Sequence, residues 1–570
     1  MRIPGHLIHG LHFYNLRGDI FGGITAAVVA LPLALAFGVS SGAGAIAGLY
    51  GSVFVGFLAA LFGGTPSQIS GPTGPMTVVM ATVFSAIVAA NPENGVAMAF
   101  TVVMLGGLFQ ILLGALRLGQ YITLMPYTVI SGFMSGVGVI IILIELGPFF
   151  GHPASANVTE SLRQLPTHLS TANPFATGIG LVTLAIVFGL PRRLNRIVPA
   201  PLLALIVGTV LSVVLLPTAA IPRIGDIPTG FPALNLPTFT WEQLKMMLGY
   251  GIMLGMLGAI DSLLTSLVAD NITQTQHHSD RELIGQGIGN LVSGLFGGLP
   301  GAGATMRTVI NVRSGGRTPI SGMVHASALL LVALGAGPLT ELIPHAVLAG
   351  ILIKVGIDII DWSFLRRAHR ISLKATGLMY GVLLLTVFVD LITAVAVGMF
   401  VANLLTVKHL SDVQVSNMKV TVHSDDSPFL SSKEQRLLDQ ARGRVLLFHL
   451  EGPMSFGAAK AISQRLGIVG KYNVLILDLT DVSRLGVTAS LAIENMVKEA
   501  HDKGREVFIV GAKDAVEERL RRLELMSYLS PQGVSMSRYE ALQKALALLG
   551  ETPPPRPNLR RLETPGTELD

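Results

Sequence analysis

The sequence contains no cysteine and only two tryptophans, and just 13% of its residues are charged. The missing thiols exclude disulfides, zinc–thiolate sites, Fe–S clusters and cysteine nucleophiles. Charge at about half the ~25% of ordinary soluble domains excludes a disordered chain, a coiled coil and a single soluble enzyme domain. A net charge of +5 over 570 residues, without a concentrated basic face, offers nucleic acid no footprint. There is no GxxxxGK[ST] and no GxGxxG after a strand, which argues against nucleotide hydrolysis and dinucleotide binding. No nucleophile–base constellation and no metal-ligand set stands out, so no catalytic residue and no enzyme is expected. The first residues show no charged stretch followed by a short apolar run and a small-residue cleavage site, so an uncleaved first helix is expected. The first apolar run, after Arg17 and Asp19, is long enough to span a bilayer.

What the chain does have is apolar residues, at 50%, with a mean hydropathy of +0.61. They are unevenly placed. Residues 1–407 hold 32 Asp, Glu, Lys and Arg, and residues 408–570 hold the other 43. The first part therefore reads as a polytopic membrane domain in the lipid bilayer, and the second as a soluble domain. Apolar segments fall near 18–40, 44–63, 73–90, 97–116, 121–149, 173–190, 199–217, 247–271, 282–298, 304–314, 318–337, 339–359, 374–390 and 391–407, which predicts fourteen spans. With the N-terminus inside, Arg2, Arg17, Arg117, Arg192, Arg193, Arg196, Arg281, Arg313, Arg317, Arg366, Arg367, Arg370 and Lys374 are all cytoplasmic. Only Arg163, Arg223 and Lys245 lie outside. This positive-inside bias supports an even number of crossings, with both termini cytoplasmic.

An internal repeat points to a site. Phe62-Gly63-Gly64-Thr65-Pro66 precedes Ser70-Gly71-Pro72-Thr73-Gly74-Pro75. Phe296-Gly297-Gly298-Leu299-Pro300 precedes Gly301-Ala302-Gly303-Ala304-Thr305-Met306-Arg307. The two strings end spans 2 and 9, seven crossings apart, and an odd separation means inverted repeats, near 18–217 and 247–407. Glycine and proline interrupt a span and leave a half-helix whose free N–H groups attract an anion. The alternative use of these residues is close helix packing.

Ionisable residues at membrane depth are costly and usually functional. Asp261 lies mid-span, with Thr265 one helical turn later on the same face. A carboxylate, a hydroxyl and unwound carbonyls suit Na⁺, and the carboxylate alone suits H⁺. Arg307 either faces the anion or snorkels toward the cytoplasm with Arg313 and Arg317. Glu145 reads as a headgroup-level or gate-facing residue, and Lys354 with Asp358 as a local i,i+4 ion pair. His277-His278 lacks further metal ligands at suitable spacing.

Residues 408–441 read as a polar linker with a short helix. A β/α rhythm follows over 442–550: strands at 445–450, 474–479 and 506–510, and helices near 456–467, 487–502, 513–524 and 537–549. Residues 551–570, with Pro553-Pro554-Pro555, are expected to be disordered.

Gly18-Asp19-Ile20-Phe21-Gly22-Gly23, Ala30-Leu31-Pro32, Gly71-Pro72-Thr73-Gly74-Pro75, Val268-Ala269-Asp270 and Ser314-Gly315-Gly316-Arg317-Thr318 together resemble the SulP (sulfate permease) family of anion transporters with a C-terminal STAS domain. The resemblance covers roughly residues 8–550. Within the family, Ile260-Asp261-x-Leu-Leu-Thr265-Ser266 is similar to the cyanobacterial sodium-dependent bicarbonate branch. The resemblance implies seven plus seven inverted spans in a core domain and a gate domain. It also implies an elevator motion and a homodimer to which the STAS domain contributes. It puts the anion against Thr73, Gly74, Ala304 and Thr305, and sodium against Asp261, Thr265, Gly303 and Thr305. Arg307 departs from the bicarbonate branch and matches other members, which bears on the anion selected. In related STAS domains a serine is phosphorylated in the turn held here by Gly486-Val487-Thr488-Ala489. Val487 cannot accept a phosphate, so the expectation is a regulatory or dimerising domain without that switch. The leading expectation is sodium-coupled bicarbonate import through a bacterial inner membrane. The rivals are H⁺-coupled or exchanging sulfate or dicarboxylate transport, an anion channel, and a membrane sensor.

Overall fold

The computed structural model describes residues 9–551 apart from 123–125, 156, 196–197, 216–220, 226–231, 336–339, 417, 423–428, 456, 458–461, 463–471, 531–532 and 536. Arg2, Arg196, most of the helix expected at 456–467, and the expected disordered tail after residue 551 lie outside the described residues. The chain divides into two compact units, 1–402 and 403–570.

The first unit is helical. Its first half holds α1 (Leu16–Ser40), α2 (Ala45–Phe62), α3 (Gly74–Ala90), α4 (Gly95–Ala115), α5 (Tyr127–Phe149), α6 (Val158–Ser170), α7 (Pro174–Gly189) and α8 (Ala200–Leu215). Its second half holds α9 (Trp241–Thr273), α10 (Ser279–Leu295), α11 (Thr305–Arg313), α12 (Pro319–Gly335), α13 (His345–Ile359), α14 (Trp362–Ile371), α15 (Leu373–Phe388) and the start of α16 (Leu391–Ser416). Each apolar segment read from the sequence coincides with one of these helices. Six helices among the described residues are each long and apolar enough to cross a bilayer alone, and the α6–α7 pair is bent by 112°. Helices α6 and α14 fall within no expected segment. Each carries a polar face, which a search for uniformly apolar windows does not see.

Packing sorts the helices into two groups. Helices α1–α4 pack with α9–α12, and α5, α7 and α8 pack with α13, while α15 packs on α5. Two short strands lie within the first group: β1 (Ser70–Gly71) pairs antiparallel with β2 (Ala302–Gly303), in register Ser70↔Gly303 and Gly71↔Ala302. The two glycine-rich turns, more than 230 residues apart, thus form one ribbon. Helix α3 leaves it after Thr73, and α11 leaves it after Ala304.

The second unit is an α/β sandwich. Its sheet runs β3-β4-β5-β6-β7, with β3 (Met418–Thr421) antiparallel to β4 (Val445–Met454). Strands β5 (Val474–Leu485), β6 (Glu506–Val510) and β7 (Val534–Ser535) continue in parallel. Alternate residues feed two cores. Leu446, Phe448, Leu475 and Leu477 meet Ile493 and Val497 of α18 (Val487–Asp502), and on the same face Val516 and Leu520 of α19 (Asp514–Arg522). Val445, Leu447, Val474 and Ile476 meet Leu437 and Leu438 of α17 (Ser432–Gln440), together with Leu542 and Leu546 of α20 (Arg538–Leu548). Burial on both faces explains why these strands read as unbroken apolar runs. The segment read as a polar linker differs from that expectation: α16 continues to Ser416, and β3 forms the sheet edge. Four residues with little alternation give no strand signal until β4 supplies their partner.

Candidate functional site

Non-helical backbone at membrane depth has to find its hydrogen bonds within the protein. Around the ribbon, buried side chains supply them. Glu282 of α10 accepts from the backbone N–H groups of Gly64 and Thr65, both at 2.9 Å, and from Gln68 Nε2 and Gln286 Nε2, both at 2.8 Å. Asn290, two turns further along the same helix, grips Gly301 from both sides: Gly301 N–H donates to its Oδ1 at 2.7 Å, and its Nδ2 donates to the Gly301 carbonyl at 2.8 Å. Ser293 donates to the Leu299 carbonyl, Asn311 to the Ser67 carbonyl, and the Ile69 N–H donates to Thr308. Asp19 accepts from the Arg317 and Thr318 N–H groups and from the Thr318 hydroxyl, which fixes the start of α12. None of Glu282, Gln286, Asn290 or Asn311 belongs to a motif that marks it as functional in the sequence. Their signal was an excess of amide and carboxylate side chains on otherwise apolar helices.

Both helix starts at the ribbon are uncapped by side chains: neither Thr73 nor Ala304, the two N-cap residues, makes a side-chain cap bond. The first backbone N–H groups of a helix have no partner within it. Those of Gly74 and Met76 in α3, and of Thr305, Met306 and Arg307 in α11, are therefore left for a ligand. Two positive dipole ends beside one ribbon suit a small anion.

Helix α9 lies along the second start. Thr265 Oγ1 donates to the Gly303 carbonyl at 2.9 Å and lies 2.7 Å from Thr305 Oγ1. Gly303 N–H donates to Ser262 Oγ at 3.1 Å, and Ser266 Oγ donates to Gln68 Oε1 at 3.0 Å. Asp261, one turn before Thr265, is 8% exposed, and its Oδ2 has no hydrogen-bond partner. Thr73 Oγ1 faces this carboxylate from the first start, short of a hydrogen bond of ordinary geometry, and is likewise unpartnered. Of the four residues expected around a cation, Thr265, Gly303 and Thr305 are thus in direct contact, with Asp261 one turn before Thr265. A carboxylate, two hydroxyls and a carbonyl form an all-oxygen set. Gly303 has no room for a side chain, because a Cβ there would lie 2.3 Å from Gln68 Nε2.

Arg307 does not snorkel toward the cytoplasm with Arg313 and Arg317. It is 3% exposed, and its Nη2 donates to the Pro72 carbonyl, which ties the start of α11 to the end of β1. It also lies within electrostatic reach of Asp261. Gly71 admits this contact, since a Cβ there would sit 2.9 Å from Arg307 Nη1. Gly74 faces the other helix group, with its Cβ position 2.8 Å from Ile359 Cδ1 of α13 and 2.9 Å from Ile141 Cδ1 of α5. Glu145 on α5 is buried, and Lys354 pairs with Asp358 at 2.5 Å. His277 bonds Asp270 at 2.7 Å, and no cluster of three or more metal-ligating side chains occurs among the described residues.

In the second unit, buried Asp478 takes up the polar groups of the sheet. Its Oδ2 meets His449 Nδ1 at 2.8 Å, and its Oδ1 accepts from Thr480 N–H at 3.1 Å and Thr480 Oγ1 at 2.6 Å. Burial raises its pKa, but these hydrogen bonds outweigh burial and hold it below the usual carboxylate value. Val487, at the turn where related domains carry a phosphorylated serine, is exposed.

Comparison with known proteins agrees with this architecture. Residues 16–382 match the Sulfate permease family, and residues 437–541 match the STAS domain. The chain is 54% identical to the "Bicarbonate transporter BicA" of Picosynechococcus sp. over 94% of this chain and 96% of that protein. It is 29% identical to the "Putative sulfate transporter YvdB" of Bacillus subtilis over 93% and 98%. Among solved structures, the transmembrane domain of a cyanobacterium bicarbonate transporter BicA matches with a TM-score of 0.64 at 56% identity, covering 67% of this chain and 98% of that one. The murine Slc26a9 anion transporter shares the fold, with a TM-score of 0.81 at 18% identity over 94% and 92%. A helical membrane unit built on a ribbon between two helix starts, followed by a STAS domain, thus joins these sequence matches in one conclusion: this chain belongs to the sulfate permease family, a family of multi-pass membrane transporters.

Proposed function

We propose that this protein is a sodium-coupled bicarbonate symporter of a bacterial inner membrane. The observation that carries the proposal is the unpaired Oδ2 of Asp261, one helical turn before Thr265, whose hydroxyl bonds the Gly303 carbonyl and meets Thr305 at the start of α11. An isolated buried carboxylate is costly until a proton or cation neutralises it. Sodium bound there adds positive charge next to the two helix starts and so favours an anion at Thr73, Gly74, Ala304 and Thr305. The identity to proteins named bicarbonate transporters supports bicarbonate as that anion. Fourteen crossings, with α3 and α11 as half-helices, put both termini and the STAS domain in the cytoplasm. The two helix groups act as core and gate in an elevator motion. The protein is a homodimer to which the STAS domain, lacking the phosphorylation switch, contributes.

Uptake of labelled bicarbonate into proteoliposomes with and without an inward Na⁺ gradient tests the proposal. Stimulation by the gradient, lost in Asp261→Asn, is expected. Equal uptake in both conditions sinks sodium coupling. Arg307 favours a second reading, H⁺-coupled or exchanging transport of sulfate or a dicarboxylate, because a buried guanidinium already offers Asp261 a positive charge. Under that reading, sulfate or fumarate competes with bicarbonate and Na⁺ has no effect.

A further inference from the structure

Two amphipathic helices, α6 and α14, lie outside the expected spans, and they differ in charge. Helix α6 carries Glu160 with Arg163 and is capped by Asn157, whose side chain accepts from the Glu160 N–H. Helix α14 and the residues that follow it, from Trp362 to Lys374, contain Arg366, Arg367, His369, Arg370 and Lys374 and no acidic residue. Phe364 and Ala368 are its buried face and pack with Met379 of α15. Arg366 and Arg370, one turn apart, both point away from that face and are exposed. Among the described residues none of these four Arg and Lys side chains forms an ion pair, and Arg367 only feels Asp361 electrostatically. Two adjacent like charges on one helix face repel each other and want an external counter-charge. Exposed Trp362, Ile371 and Leu373 flank the cations with apolar surface. Basic groups interleaved with exposed aromatic and aliphatic groups are the composition of a helix lying at the headgroup level of a bilayer.

The helix is also anchored to the rest of the unit. Asp361 caps it, accepting from the Phe364 N–H at 3.0 Å. The same carboxylate accepts from Tyr127 Oη at 2.7 Å and Ser131 Oγ at 2.8 Å, both on α5, and the Tyr127 and Phe364 rings meet edge to face at 5.2 Å. Whatever holds α14 therefore also holds the first turn of α5.

We propose that Arg366, Arg370 and Lys374 bind the phosphate headgroups of anionic phospholipid in the cytoplasmic leaflet, and that this fixes α14 and, through Asp361, the start of α5. The site rests on the inside orientation of this loop and on no property of the transported anion. The test uses the full chain in neutral detergent, without substrate or sodium, so a failure of sodium–bicarbonate coupling leaves its outcome unchanged. The thermal midpoint is followed as phosphatidylglycerol or phosphatidylcholine is added, since a ligand that binds the folded state raises it. The expected result is a larger rise with phosphatidylglycerol. That excess is lost in R366Q/R370Q/K374Q, kept in R366K/R370K, and kept in R163Q, the control on α6. Should the triple variant not fold, the single variant R370Q serves, with the excess reduced. Full retention of the excess in the neutralised variants overturns the proposal. So does an equal rise with inorganic phosphate alone, which would mark a free-anion site instead of a lipid one.

Discussion

The two helix starts at the ribbon share a backbone plan and differ in what surrounds them. At the first, Thr73-Gly74-Pro75 opens a 17-residue helix, and Gly74 abuts Ile359 and Ile141 of the other helix group. At the second, Ala304-Thr305 opens a helix of nine residues, and Thr265 lies against Gly303 and Thr305 with Asp261 one turn away. The repeat thus leaves backbone N–H donors at both starts, fewer at the first because Pro75 has none, while Asp261, Thr265 and Thr305 gather at the second. Under the proposed function, the duplicated helix starts attract the anion, and coupling it to a cation takes an added carboxylate, which Asp261 in the second half supplies. Arg307 joins the two starts by bonding the Pro72 carbonyl from the second half.

The largest effects should come from the braces. Glu282 serves the first turn with three hydrogen bonds, from Gly64, Thr65 and Gln68, and Asn290 serves the second with two to Gly301. Removing a buried partner leaves each donor to bear its own desolvation cost. Glu282→Ala should destabilise the membrane unit by ~3–5 kcal/mol and Asn290→Ala by ~2–3 kcal/mol. Thermal midpoints of the purified variants check the order, and equal losses would mean that the turns are braced alike. A smaller contrast separates the glycines. In Gly303→Ala the new Cβ meets Gln68 Nε2 at 2.3 Å, and Gln68 is already fixed by Glu282 and Ser266, so ~2–3 kcal/mol should be lost. In Gly74→Ala it meets the ends of two isoleucine side chains, which can turn aside, and the loss should stay near ~1 kcal/mol.

The smallest expected effect contrasts the two buried aspartates. Asp261 has an unpaired oxygen, whereas Asp478 is held by His449 and Thr480, with its pKa below the ordinary value. A carboxylate with a lowered folded pKa contributes stability above its unfolded pKa, about 3.9, and loses it as pH falls through the folded value. Hydrogen exchange of β4 and β5 in the full chain should therefore accelerate through that acid range. In Asp478→Asn this acid-dependent part should vanish.

Much of this site was legible in the sequence because its signals were local. Asp261 and Thr265 share a face by helical spacing, and the FGGxP strings announced the two turns. The fourteen apolar segments located the helices for the same reason. The braces were not legible: Glu282 acts on Gly64 and Thr65, and Asn311 on Ser67, across more than 200 residues. A polar side chain on an apolar helix shows that it needs a partner without showing which. The register Ser70↔Gly303 depends on that same long-range packing. Arg307 was ambiguous because its partner, a proline carbonyl, carries no side-chain signal. The strand β3 was hidden for a related reason, being defined only by β4 beside it.

The claim that the Thr73 side chain at the first start serves the anion, while Thr265 beside the second serves the cation, is tested most directly by one paired measurement. Bicarbonate uptake is measured against Na⁺ and against bicarbonate concentration in Thr73→Val and in Thr265→Val, each in proteoliposomes. Thr265→Val should raise the half-saturating Na⁺ about tenfold, ~1.4 kcal/mol for one lost ligand, and leave the bicarbonate KM at saturating Na⁺ nearly unchanged. Thr73→Val should do the reverse. Equal changes in both constants for both variants would contradict the division between the two starts.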